Sequence, residues 1–505
     1  MNKPATPKKP HVVWIMCDQL RSDKLGFMGD SIARTPNLDR LANRGVVFEK
    51  MYPQCSVCMG SRASILTGRY LRTCGMSGGS PLLDPREITW PTVLQEAGYQ
   101  TGLFGKLHVT PQQYTLKELD RFDAITDATV FLEPAGIGRA QFPPSHHNYG
   151  FQHQVPYEDI LPSGYKDWVA KRDPKLAAIL PQKGMQSWEG WNQRYTEHQP
   201  GDIGPTVTPV ELHPSMYIAN SASEYFQSHH KQGPCAMQVS FVDPHHPFDP
   251  PAELLANYPL DQMPLPRHTD TGDVQWPQRL LDNTTDYKLT PEEQTRDGIA
   301  CYYAMIEMAD LAVGELVKTI EEAGELDNTI FLFVADHGEY LGDYGLWRKG
   351  SYHYDCVMHV PAFISYPHAV PAGQRSEGLT EALDMTATLF GLLDIDLPAG
   401  IQGTDMTQGL KNKEHLDRPW IYTELHTTPW GPFLCIQTLR THTAQLDVYP
   451  EDEQSLLFDL EADPDQRRDV YNDPAYQSLR DQMQRNMFKE LSRQTDPLPK
   501  PLSQF

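Results

Sequence analysis

The stretch HVVWIMCDQ, residues His11 to Gln19, decides the fold: an unbroken apolar run stops abruptly at a cluster of polar side chains. Three later segments repeat the pattern. Thr101 to Gly105 precedes Lys106, Leu107 and His108; Met237 to Val242 precedes Asp243, Pro244, His245 and His246; Ile330 to Ala335 precedes Asp336, His337 and Gly338. Short runs rich in Val, Ile and Phe, with no polar alternation, read as strands buried on both faces. Helical patterns lie between them, over Thr35 to Arg44, Pro91 to Ala97 and Ile299 to Ala323. Strands alternating with helices predict an α/β fold, with a large, mixed but mostly parallel sheet sandwiched by helices. In such sheets ligands bind beyond the carboxyl ends of the strands. Any one of the four clusters reads as a loop or a helix cap, but four at matching strand ends read as one site.

Composition limits what that site can serve. The 505 residues exceed what one core usually holds, so a catalytic domain over 1–415 and a smaller one over 416–505 are expected. Gly400 to Arg418 reads as the hinge. Beyond it Trp420 to Leu425, Phe433 to Gln437 and Ser455 to Leu460 read as strands and Ala475 to Leu491 as a helix, which predicts a short antiparallel sheet plus helix. A net charge of −23 disfavours nucleic acid as a partner and requires any anion pocket to supply its own cations. No run approaches the roughly 18 apolar residues of a membrane span, and no secretory signal is visible. The sequence as written therefore predicts a cytoplasmic protein, with a periplasmic or secreted one the alternative if a leader has been removed. The oligomeric state is not legible.

The segment from Cys55 to Tyr70, CSVCMGSRASILTGRY, carries the chemistry. Cys55 and Cys58 form a CxxC, which can mean a redox pair or half of a zinc site. Zinc needs a second pair of ligands, and Cys17, Cys74, Cys235, Cys301, Cys356 and Cys435 are scattered singly. The segment also resembles the signature of the formylglycine-dependent (type I) sulfatases of the alkaline phosphatase superfamily, in which a Cys followed four residues later by Arg is oxidised to an aldehyde. Gly60 departs from the family pattern, which has Pro or Ala there. The resemblance runs from Val12 to about Asp394, through Thr35 to Leu41, and returns at Leu457 to Leu460 and Asp463-Pro464.

By that resemblance Cys58 is the formylglycine precursor and Arg62 its anchor. Lys106 and His108 match the family's GKxH, His245 its PHxPF, and Lys349 and Ser351 its WxKxS. Lys106 and Lys349 are thereby expected to bind sulfate oxygens, His245 and Lys349 to help the alcohol leave, and His108 to take the proton that releases sulfate. His246 is the rival to His245, while His353 and His359 read as structural. The resemblance places one divalent cation on Asp18, Gln19, Asp336 and His337, with Cys58 beside it. Hard oxygens with one imidazole suit calcium, or else magnesium or manganese.

Between 117 and 232 no family segment is legible, and this stretch is expected to be an insertion that shapes the substrate pocket. Arg139 and Trp188 are its candidate substrate contacts; Trp188 and Trp191, three apart, equally fit one helix face packed into the core. The expected function is hydrolysis of sulfate monoesters, on a sulfated carbohydrate or else an aryl sulfate. The expected partners are a small-molecule or oligosaccharide sulfate ester and, during maturation, a formylglycine-generating enzyme. A phosphonate monoester or phosphodiester hydrolase, and an unmodified, non-catalytic anion-binding homologue, are the alternatives.

Overall fold

A computed structural model of the chain describes residues 8–76, 83–109, 148–158, 163–180, 203–283, 291–426 and 435–494. Its centre is an eight-stranded sheet made of β1 (His11–Cys17), β2 (Val46–Tyr52), β3 (Gln100–Gly105), β4 (His153–Pro156), β5 (Cys235–Phe241), β6 (Thr329–Ala335), β7 (Val360–Ser365) and β8 (Gln374–Glu381), in the order β4-β3-β5-β1-β6-β7-β2-β8. The four predicted strands are the four contiguous central ones, β3, β5, β1 and β6, all parallel. Every residue of β1, β5 and β6 is buried, which is why these strands carry unbroken apolar runs. β7 alone runs the other way, antiparallel to β6 and β2, so the sheet is mixed and mostly parallel.

The principal helices are α1 (Pro36–Ala42), α2 (Cys58–Thr67), α3 (Trp90–Glu96), α4 (Pro214–His229), α5 (Glu292–Glu322) and α6 (Ala382–Leu392). α5 packs along α4 and α1, α4 lies on β3 and β5, and α2 packs against α6. Aromatic pairs knit the core: Trp14 on β1 stacks on Trp90 at 5.4 Å, and Phe333 on β6 stacks on Phe363 of β7 at 5.1 Å. α5 starts at Glu292, seven residues before the predicted Ile299, because a charged first turn continues the helix beyond its apolar stripe. Two elements of the 117–232 stretch belong to the sheet's own architecture, β4 on its edge and α4 on its face.

A second sheet follows, an antiparallel meander of β9 (Ile421–His426), β10 (Cys435–Arg440), β11 (Ala444–Tyr449) and β12 (Gln454–Asp459), covered by α7 (Gln477–Arg493). β11 has no counterpart among the predicted strands, and the predicted start of β10 at Phe433 lies outside the described residues. No helix among the described residues is long and apolar enough to cross a membrane.

Candidate active site

The carboxyl ends of β3, β5, β1 and β6 deliver their polar clusters to one place, and α2 points its first residue into it. Cys58 opens α2, where the unpaired N–H groups of a helix start favour negative charge. Its buried Sγ lies 2.9 Å from Lys349 Nζ, 3.3 Å from His337 Nε2 and 3.8 Å from Asp18 Oδ1. Burial pushes the thiol up, but Lys349, Lys106 and His337, with a hydrogen bond from His108, outweigh it and hold Cys58 well below the ordinary thiol range. Cys55 is in contrast pushed up to about 12 by burial, so the two cysteines of the CxxC differ in kind. All eight cysteines are free.

Arg62, one turn further along α2, ties the two acidic strand ends together. Its Nε donates to Asp336 Oδ2 at 2.6 Å and its NH2 group to Asp18 Oδ2 at 3.3 Å. NH1 donates to the Lys106 carbonyl at 3.0 Å and to Ser240 Oγ at 2.8 Å, so the guanidinium reaches all four strand ends. Lys106 Nζ, fully buried, sits 2.7 Å from Asp18 Oδ2. Burial and Cys58 push Asp18 up, yet Lys106, His245 and Lys349 hold it far below the carboxylate range. Lys349 is itself raised: burial lowers it, and Cys58 and Asp18 more than compensate.

Asp18, Cys58, Asp336 and His337 each present one donor atom, all buried and all within 4.8 Å of one another, a grouping that can hold a metal ion. Asp336 Oδ1 also accepts the backbone N–H groups of Gln19 at 3.0 Å and His337 at 2.9 Å, which fixes the carboxylate. The Gln19 amide oxygen is buried with no protein partner. Two carboxylates and an imidazole, with an orphaned buried acceptor on the residue that follows Asp18 and binds Asp336 through its backbone, make a donor set that fits a hard cation.

The remaining expected residues stand around this cluster. His108, with φ at +52°, is held in its turn by Glu158, whose Oε1 accepts the N–H groups of Leu107 at 2.9 Å and His108 at 3.2 Å. His245 and His246 stack with centroids 4.0 Å apart. Nδ1 of His245 is engaged with the His246 carbonyl at 2.6 Å, and His246 Nδ1 faces Gln19 Nε2 at 3.2 Å. His353 spans from Ser56 Oγ, at 3.3 Å, to Thr438 Oγ1 on β10, at 2.8 Å, and His359 Nδ1 faces Ser22 Oγ at 3.1 Å. Arg139, Trp188 and Trp191 lie outside the described residues.

Three participants escaped sequence reasoning: Glu158, Ser240 and Glu339. Glu339 follows Asp336 by three residues and is fully buried, and its Oε1 accepts the N–H groups of Leu341 and Arg348. Burial pushes it up to about 7, against the pull of those N–H groups and of Lys349 and Arg348. Its place next to the acidic strand end was the available signal. Ser240 and Glu158 carried none, since a serine inside a strand and a glutamate in an irregular stretch are commonplace.

Comparison with known proteins agrees with this geometry. The Sulfatase family model matches residues 10–395, and a second, described as N-sulphoglucosamine sulphohydrolase, C-terminal, matches 342–494. The chain is 27% identical to an arylsulfatase of Clostridium perfringens, over 96% of this chain and 94% of that protein. It is 23% identical to an N-acetylglucosamine-6-O-sulfatase of Bacteroides thetaiotaomicron, over 93% and 84% respectively. Among solved structures, the phosphonate monoester hydrolase of Agrobacterium radiobacter superposes with a TM-score of 0.78 at 21% identity, covering 97% of this chain and 96% of that one; this likeness is one of fold. A family match across most of the chain, on a site of cations gathered around the cysteine that opens α2, settles membership: the chain belongs to the sulfatase family of the alkaline phosphatase superfamily and is a sulfuric ester hydrolase.

Proposed function

We propose that the protein hydrolyses sulfate monoesters of a sulfated carbohydrate, using a formylglycine made from Cys58 and one divalent cation, calcium in the first instance and magnesium or manganese otherwise. The observation that carries the reading is the convergence of Lys349, His337 and Asp18 on Cys58 Sγ. Hydrated formylglycine supplies one hydroxyl to attack sulfur and a second whose deprotonation releases sulfate. A cation held by Asp18, Gln19, Asp336 and His337 would acidify the attacking hydroxyl and neutralise sulfate oxygens.

The chain's own groups do the rest. Lys106 and Lys349 are placed to bind the equatorial sulfate oxygens, where negative charge grows during transfer. Arg62 does not touch substrate; buried between Asp18 and Asp336, it fixes the carboxylates and the first turn of α2. His245 and Lys349 protonate the departing alcohol, a step worth about 10²- to 10⁴-fold. His108, hydrogen-bonded to Cys58, takes the proton that releases sulfate. His246, held by Gln19, serves as a wall of the site, and Arg139 and Trp188 are proposed as substrate contacts further out.

A carbohydrate substrate is favoured by the similarity to a sulfatase named for N-acetylglucosamine 6-sulfate, and an aryl sulfate is the second choice in view of the arylsulfatase relative. Peptide mass spectrometry of the Cys58 segment, after expression with a formylglycine-generating enzyme, should show a loss of about 18 Da relative to the thiol. An intact thiol would favour the non-catalytic reading. The modified protein should release sulfate from a panel of sulfated sugars and from nitrophenyl sulfate faster than it cleaves a phenylphosphonate ester. The opposite ranking would give preference to the phosphonate hydrolase alternative.

A further inference from the structure

The Gln19 side chain can face a cation in two ways that are alike in shape and opposite in effect. With its oxygen forward it is a ligand; with its NH2 forward it repels the ion. The amide nitrogen has two acceptors, Glu339 Oε2 and, at 3.2 Å, His246 Nδ1. An NH2 group carries two hydrogens, so these two acceptors use both. The amide oxygen is left buried and without a protein partner. The residue's backbone is pinned as well, its N–H donating to Asp336 Oδ1 at 3.0 Å and its carbonyl accepting from Tyr302 Oη at 2.6 Å.

We propose that Glu339 is a positioning residue that fixes the polarity of the Gln19 amide, so that the oxygen and not the nitrogen is presented to the divalent cation. The inference rests on reading Gln19 as a cation ligand. Glu339 is suited to the task because its other oxygen is already saturated by the N–H groups of Leu341 and Arg348, which leaves Oε2 as an acceptor with one direction to serve. The same carboxylate thereby anchors the backbone next to Lys349. It accounts for an amide at position 19, because a carboxylate there would meet a second carboxylate at hydrogen-bond distance.

The test is a double-mutant cycle read as calcium affinity, measured by titration calorimetry on the cation-depleted full chain, with folding checked by circular dichroism. Glu339→Gln should weaken calcium binding about 10- to 100-fold, because the new amide can donate to the Gln19 oxygen and let the side chain turn over. In a Gln19→Leu background there is no amide to orient, so adding Glu339→Gln should change affinity by less than about threefold. Equal losses in both backgrounds, or loss of the fold in both, would mean that Glu339 acts through its charge or its packing, and would overturn the inference. Folding restored only in the Gln19→Leu background, where no amide opposes the new one, would support it. Gln19→Leu separates the two claims: unchanged affinity there removes Gln19 from the ligand set and the inference with it. Weakened affinity, together with equal losses in the cycle, overturns the positioning role alone.

Discussion

Two buried charge clusters, one at the first turn of α2 and one at the first turn of α6, differ in what they leave unpaired. At the strand ends, Arg62, Lys106 and Lys349 face Asp18 and Asp336, and the Gln19 oxygen and His108 Nδ1 are buried without protein partners. At the seam with the second sheet, Glu381 and Asp384 face Arg418. There Glu381 accepts the Tyr422 N–H at 2.8 Å and Tyr70 Oη at 2.7 Å, and Asp384 accepts the Glu381 N–H at 3.0 Å and the Thr404 N–H at 2.7 Å. Arg418 Nε closes the network on Asp384 at 2.9 Å, so no carboxylate oxygen of this pair is idle. Both clusters are buried and both are made of charges. The seam cluster satisfies every carboxylate oxygen from within the fold, whereas the strand-end cluster leaves two buried polar atoms unpaired.

The sharpest way to break this contrast is to remove one residue from each cluster. Cys58→Ala should lower turnover of nitrophenyl sulfate by about 10⁴-fold or more, the scale on which loss of a nucleophile is felt, while the thermal midpoint stays close to that of the parent. A large fall in stability would mean that the active cluster is a structural one too. Arg418→Met should do the reverse. It strands two buried carboxylates and should cost about 3 kcal/mol in urea denaturation, with kcat per folded molecule unchanged. Loss of turnover in the folded Arg418→Met protein would show that the seam transmits to the site.

The contrast also governs what the sequence could show. Strands buried on both faces announce themselves as apolar runs, and the polar residues that stop those runs meet in one cluster: the convergence of Asp18, Lys106, His245 and Asp336 was legible for one physical reason. β8 was not legible. Its first four residues alternate in burial, with Arg375 and Glu377 outward, and Gly378 follows, so this part of the strand looks like a loop. β2 likewise carries Glu49 and Lys50 in mid-strand. The seam network was invisible because Glu381, Asp384 and Arg418 read as ordinary surface charges until the second sheet covers them. Glu339 was missed although it lies within sight of Asp336, since nothing in a sequence distinguishes a carboxylate that meets a ligand from one that orients another side chain.

A pH titration sharpens the comparison at the contact between the Cys58 segment and the second sheet. His353 is buried between Ser56, two residues before Cys58, and Thr438 of β10, and burial pushes its pKa down from 6.5 to about 3. Its folded pKa is depressed, so the unfolded chain binds the extra proton first. Its contribution is complete above pH 6.5 and is lost progressively as pH falls toward 3. Between pH 6.5 and 5 this one group should account for about 2 kcal/mol of lost stability. His353→Asn should flatten that part of the profile in urea denaturation across this window. An unchanged slope would place the acid sensitivity elsewhere.

The smallest expected effect concerns the departure at Gly60. A Cβ built there would lie 2.8 Å from Cys55 Sγ and 2.9 Å from Leu71 Cδ2, inside any normal contact. The glycine is thus matched to its neighbour: the Cys55 thiol occupies the space that a side chain at 60 would need. Gly60→Ala should therefore cost stability through overpacking, offset by the roughly 1 kcal/mol that alanine gains over glycine within a helix, for a net loss of about 1 kcal/mol. In a Cys55→Ala background the sulfur is gone while Leu71 Cδ2 at 2.9 Å and the Cβ of residue 55 at 3.0 Å remain, so the cost of the same substitution should shrink. That reduction, read from paired thermal midpoints, separates a local steric match from a general intolerance of side chains in the first turn of α2. If Gly60→Ala costs the same in both backgrounds, Leu71 and not Cys55 is the residue that dictates the glycine.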